Sequence, residues 1–152
     1  MSISNLLVAN DLDVFVASLT LPSSGNGTID YYEQFTEAAA LGGIWAANQP
    51  CAINITRIGN LVTFMLEGDI LATANTASTI QLVLTGGIPA RFRPVTDFHG
   101  ACLIQNNGTV TAAGVLLISA AGILQISNTG GTNFTGSGTS GTYGFAVSYL
   151  NS

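Results

Sequence analysis

The feature that most constrains this chain is the run CAINITRIGNLVTFML, Cys51 to Leu66, in which two alternating apolar and polar segments flank the dipeptide Gly59-Asn60. A period of two turns one face of each segment toward a core, and Gly-Asn accepts the positive φ of a tight turn, so the run reads as a β-hairpin. The same pattern recurs. HGACLIQ leads into Asn106-Asn107-Gly108, after which Thr109 to Thr111 pair back. VLLIS (Val115 to Ser119) returns through Ala120-Ala121-Gly122 into ILQIS (Ile123 to Ser127). About eight or nine short strands at this spacing, with little helix, predict an all-β antiparallel sandwich or barrel.

The segment TIQLVLTGGIPARFRP, Thr79 to Pro94, anchors the middle of that pattern. Ile80, Leu82 and Leu84 alternate with Gln81 and Val83 as a strand with one face to the core. Gly86 and Gly87 permit positive φ, and Pro89 and Pro94 deny a ladder its donors, so the chain leaves the sheet here. Read as extended backbone, this crossover points Arg91 and Arg93 to one side and Phe92 to the other.

Charge is scarce. The chain has 152 residues, 7% of them charged, with three arginines and no lysine. A soluble domain carries about a quarter charged residues, so this surface calls for a partner, most simply another copy of the chain. The net charge of −5 argues against nucleic acid, which needs a basic stripe. The uncharged stretch from Thr109 to Ile126 is long enough to register as a membrane span, but Thr111, Gly114, Ser119, Gly122 and Gln125 break it at strand-and-turn spacing, and membrane insertion is not expected. The N-terminus shows no secretory pattern, so the sequons at Asn26, Asn54, Asn107 and Asn133 are not read as glycosylation sites.

Residues 1–27 read as an extended, stalk-like segment ending in the turn-rich Ser23 to Gly27, with Pro22 to Thr28 as the boundary, and 28–152 as the sandwich domain. Val14, Val16, Ser18 and Thr20 alternate with Phe15, Ala17, Leu19 and Leu21, giving the first segment strand character on both faces. Glu33 to Leu41 is ambiguous, since its helix formers stop at Gly42-Gly43 after about two turns and an extended reading fits equally. Trp45 reads as an anchor at the core rim. The glycine- and threonine-rich 128–142 is too long for a turn and reads as a functional or mobile loop. In the last strand Tyr143, Phe145, Val147 and Tyr149 share one face, read as core or subunit seam. Gly144, Ala146, Ser148 and Leu150 form a small face that invites close approach of another surface.

No arrangement for catalysis, metal or cofactor emerges. His99 with Asp97 lacks a nucleophile motif, and an enzyme is not expected. Asp11 with Asp13, or Glu67 with Asp69, read as solvated turn carboxylates rather than a calcium site. Cys51 and Cys102 read as small hydrophobes, with pairing left open. Arg57 is expected to pair with a carboxylate such as Glu67 across its hairpin or with a neighbouring subunit. Arg91 and Arg93 are expected at inter-subunit ion pairs, with contact to an acidic ligand as the alternative.

Taken in order, TRIGNLVTFML, LTGGIPARFRP, CLIQNNG, GVLLISAAGILQI and the terminal YGFAVSYL resemble the head domains of viral and phage fibre or receptor-binding proteins. The resemblance spans Phe35 to Leu150. It implies a homotrimeric antiparallel jelly-roll β-sandwich, similar in outline to complement and tumour-necrosis-factor-like heads, on the virion surface among other virion proteins. Attachment to a host-surface glycan or protein receptor is the implied function, with a structural capsid decoration or minor capsid protein as the alternative. No catalytic or ligand-binding residue carries over.

Overall fold

A computed structural model of the protein describes residues 19–20, 28–29 and 32–151. The alternation expected for Val14 to Thr20 and most of the stalk-like segment fall outside them. Leu19–Thr20 (β1) and Thr28–Ile29 (β2) pair antiparallel as a two-stranded ribbon. All other strands join one ten-stranded antiparallel sheet. In chain order these are Tyr32–Gly42 (β3), Gln49–Ile58 (β4), Leu61–Glu67 (β5), Ile70–Thr73 (β6), Ile80–Val83 (β7), Phe98–Asn106 (β8), Thr109–Ile118 (β9), Leu124–Ser127 (β10), Thr139–Thr142 (β11) and Phe145–Leu150 (β12).

The order across the sheet is β12-β5-β4-β3-β7-β10-β9-β8-β11-β6. It curls over on itself into a jelly-roll-like sandwich, with β7 bonded to β3 on one side and β10 on the other. The Ile80 to Leu84 segment thus joins the two halves. One core lies between them. Ile53, Ile55, Val62, Phe64 and Leu66 come from one half, and Ile104, Leu116, Ile118, Leu124 and Ile126 from the other.

The hairpins form where the turn chemistry placed them. Ile58 faces Leu61, Asn106 faces Thr109, and Ile118 faces Leu124. At the first, only Gly59 takes a positive φ, 57°, and Asn60 does not; at the second, Asn107 and Gly108 both do. The apolar Thr109 to Ile126 stretch is this strand pair and its turn, and among the described residues no helix is long and apolar enough to cross a membrane.

The ambiguous Glu33 to Leu41 is wholly extended. β3 pairs with β4 from Tyr32–Ile58 to Leu41–Gln49, and that ladder outweighs the modest propensity of a two-turn helix. The crossover departs from its expected form. Ala90–Phe92 is a 3₁₀ turn, not extended backbone. Pro89 pre-sets its entry, Phe92 turns fully into the core, and the two arginines diverge.

Candidate functional site

Register divides the sandwich into two ends. At one, β3 begins at Tyr32, β4 and β5 meet at Gly59-Asn60, β12 finishes at Leu150, and the crossover folds over the opening. At the other, four loops gather: 43–48, 74–79, 106–109 and 128–138.

The first end holds all three arginines. Buried Glu33 receives a hydrogen bond from Arg91 Nε, and the Arg91 guanidinium also lies 5.0 Å from the Phe92 ring centroid. Arg57 Nη1 donates to the Arg91 carbonyl at 2.9 Å, and its Nε donates to the Gly59 carbonyl at 2.8 Å. The Asn151 side-chain amide donates to that same Arg91 carbonyl. Arg93 turns away and donates from Nε to the Ile88 carbonyl at 2.6 Å and from Nη2 to that of Gly86 at 3.3 Å. Each guanidinium therefore has partners within its own chain. The expected Arg57–Glu67 pair does not form. Arg57 faces Val62 while Glu67 faces Ala52, at opposite ends of the hairpin, and Glu67 instead accepts from Asn54 Nδ2.

The last strand locks onto this end. The buried Tyr149 hydroxyl donates to the Phe92 carbonyl at 2.7 Å, and its ring meets Phe98 at 5.5 Å. Burial holds that hydroxyl well above the usual tyrosine range. Phe145 lies against Phe64, and Phe145 and Val147 both pack on the core. Tyr143 precedes the strand and donates to Gln105 Oε1 at 3.0 Å. Both cysteines are free. Cys102 is buried, which raises its thiol to about 11, and Cys51 is half-buried with a raised thiol. Exposed His99 sits on β8, and the Asp97 carboxylate accepts from the Ala120 N–H at 2.9 Å. Among the described residues no cluster of three metal-ligating side chains occurs.

The loop end is built differently. No charged residue occurs in its four loops. Asn75 N–H donates to the Ile44 carbonyl, Ala74 N–H to that of Gly138, and Phe134 N–H to that of Ser78, each within 3.0 Å. Asn106 closes the set with both halves of its amide: Nδ2 donates to Thr135 Oγ1 at 3.2 Å, and Oδ1 accepts from Thr135 N–H at 2.8 Å. Ser140 Oγ accepts from Asn107 N–H at 2.9 Å. Phe134, 1% exposed, plugs the core beneath, and Trp45 Nε1 donates to the carbonyls of Ala72 and Ser140.

Two glycines allow this packing. Gly43 has φ 111°, and a Cβ there would strike the Thr79 carbonyl; Gly138 has φ 69° against the Asn107 side chain. The long 128–142 segment is thus a short 3₁₀ turn at Thr129–Gly131, a pinned loop and strand β11. Its outward surface, with that of its neighbours, is hydroxyl and amide: Asn75, Thr76, Asn107, Thr109, Thr132, Asn133, Thr135 and Ser137 are all exposed. The residue pattern marks this segment as a loop without showing what holds it. The one cue is the apolar Phe134 amid glycines and threonines. The acidic turn Glu67 to Asp69 makes its contacts elsewhere, to Asn54 and to the Gly144 N–H.

No family model matches this chain, and no curated protein does. Among solved structures, the reovirus attachment protein sigma1, in complex with α-2,3-sialyllactose, aligns with a TM-score of 0.48 and 15% identity. The alignment covers 99% of this chain and 87% of that one. A likeness of that size bears on neither site nor ligand.

Proposed function

We propose that this chain is the head of a virion-surface attachment protein, acting as a homotrimer, and that its four-loop end engages a host-surface glycan or protein receptor. The observation that carries this reading is the contrast between the ends. The sandwich begins β3 at the end stapled by arginines, and turns outward at the other a rigid, uncharged surface of hydroxyls and amides. Such groups match a neutral or weakly charged ligand through many short hydrogen bonds, and pinned loops lose little entropy on binding. Each site is weak alone, and three on one axis raise avidity by roughly 10²–10⁴. The sequence pattern quoted above supports the same reading. In it the chain acts by binding and performs no catalysis.

The test is cell binding by the purified protein, read by flow cytometry, against variants carrying Thr132→Arg or Ser137→Arg on the exposed loop. Loss of most of the cell signal with an unchanged circular dichroism spectrum is the expected outcome. Full binding by both variants overturns the loop assignment. Affinity for capsids with none for cells overturns attachment in favour of a capsid decoration role.

A further inference from the structure

The outward face of β12-β5-β4-β3 gathers exposed apolar side chains into one row. Strand register places Tyr32, Ile58, Leu61 and Leu150 side by side in one row across the four strands. Their exposures are 37%, 44%, 46% and 68%. The next row is Gln34, Thr56, Thr63 and Ser148, where Thr63 and Ser148 hydroxyls hydrogen-bond at 2.8 Å. The one after it is Thr36, Asn54, Met65 and Ala146. Among the described residues the charged side chain on this face is Glu67, whose carboxylate accepts from Asn54.

The edge of this face is equally bare. β12 ends the sheet order, and its sequence, FAVSYL, carries neither a charge nor a proline. Natural edge strands are usually blunted by lysine, proline or a bulge, and this chain has no lysine to use. Among the described residues no strand pairs with the outer side of β12, and an apolar row that runs out to this edge leaves a surface prone to association.

From this the geometry points to a seam between copies of this chain, built on the outward face of β12-β5-β4-β3 with the Tyr32-Ile58-Leu61-Leu150 row at its centre. Charge selects a second copy over a foreign partner. A face with almost no charge offers a charged partner no complement and desolvates its ions, whereas a neighbouring copy of so charge-poor a chain meets it with apolar and hydroxyl groups of its own. Size is close to the threshold: four strands about 4.8 Å apart and about seven residues long give ~450 Å² of projected sheet per copy, ~900 Å² for two, against the ~1,000 Å² total that a specific interface has to clear. The seam uses the small face of the last strand, Ala146, Ser148 and Leu150, and leaves its aromatic face in the core. The inference deepens the homotrimer of the proposed function and rests on it only for stoichiometry.

The test combines light scattering with oxidation of Met65, which lies on the face and is 36% exposed. Full-length protein is expected to be multimeric at micromolar concentration. Leu61→Lys is expected to be monomeric with an unchanged β-sheet spectrum, and its Met65 to oxidise several-fold faster under peroxide. Val110→Lys, at an exposed site outside the face, should stay assembled. Should Leu61→Lys fail to fold, Leu150→Lys at the outermost position is read in its place. A monomeric native protein, or lysine variants that stay assembled with Met65 equally reactive, overturns the seam. Cell binding by a monomer sinks the seam and spares attachment; an assembled protein that ignores cells does the reverse.

Discussion

The two ends of this sandwich solve the same problem with opposite chemistry. Each must close the core and satisfy the backbone groups of the chain passing over it. The crossover end does so with long guanidinium side chains that reach carbonyls in its own chain, together with the buried Glu33 carboxylate and Tyr149 hydroxyl. The loop end uses short amides and hydroxyls, with Asn106 and Ser140 bonding backbone directly. The comparison teaches where a charge-poor chain spends its few ions. Its three arginines and Glu33 hold the crossover end together, and the four loops of the other end carry no charge.

Unequal responses to substitution test that contrast. The largest effect is expected from Phe92→Ala, which empties a fully buried aromatic site under the crossover. It should cost about 3–5 kcal/mol in urea unfolding. A loss below about 1 kcal/mol would mean that the crossover is not an integral part of the core.

Arg91→Met keeps much of the packing over Phe92 and removes the charge facing Glu33. Breaking a fully buried pair costs about 3–5 kcal/mol, and because Arg91 is half exposed we expect about 2 kcal/mol here. The Glu33→Gln, Arg91→Met double variant should recover part of that loss, which a purely steric role for Arg91 would not allow.

Alkaline pH should weaken the fold through Cys102. Its thiol rises from 9.0 to about 11 on burial, so the folded chain keeps a proton that the unfolded chain releases. Stability is therefore full below about pH 9 and falls between about pH 9 and 11, by on the order of 2 kcal/mol. Cys102→Ala should reduce that slope in pH-dependent denaturation, leaving the parts that the half-buried Cys51 thiol contributes above about pH 9 and Tyr149 above about pH 10.

The smallest global effect belongs to the loop end. Asn106→Ala removes two hydrogen bonds to Thr135 at the surface and should cost about 1 kcal/mol. Hydrogen exchange should nonetheless accelerate at Thr135 and its neighbours while the strands stay protected. Uniform acceleration would show that the two ends are not independent.

The strand pairs were legible from residues alone because their signals are local. Alternation decides a face, and Gly59, Gly108 or Gly122 decides a turn within a few residues. For the same reason the small and aromatic faces of the last strand could be separated without knowing which one faces inward. Register settled that, by pairing Phe145 with Leu66 and Leu150 with Leu61.

Tertiary structure alone decided the rest, because each remaining feature joins residues far apart in the chain. Propensity left Glu33 to Leu41 undecided, and a ladder to β4 made it a strand. An extended reading aimed Arg91 and Arg93 together; a 3₁₀ turn forced by Pro89 and the burial of Phe92 sent them to Glu33 and to the Ile88 carbonyl. Composition announced that so few charges cannot coat the molecule, and only the folded sheet placed Tyr32, Ile58, Leu61 and Leu150 in one exposed row. Periodicity reports which way a side chain points relative to its neighbours, while what it meets depends on distant segments whose contacts form only when the whole sheet has closed.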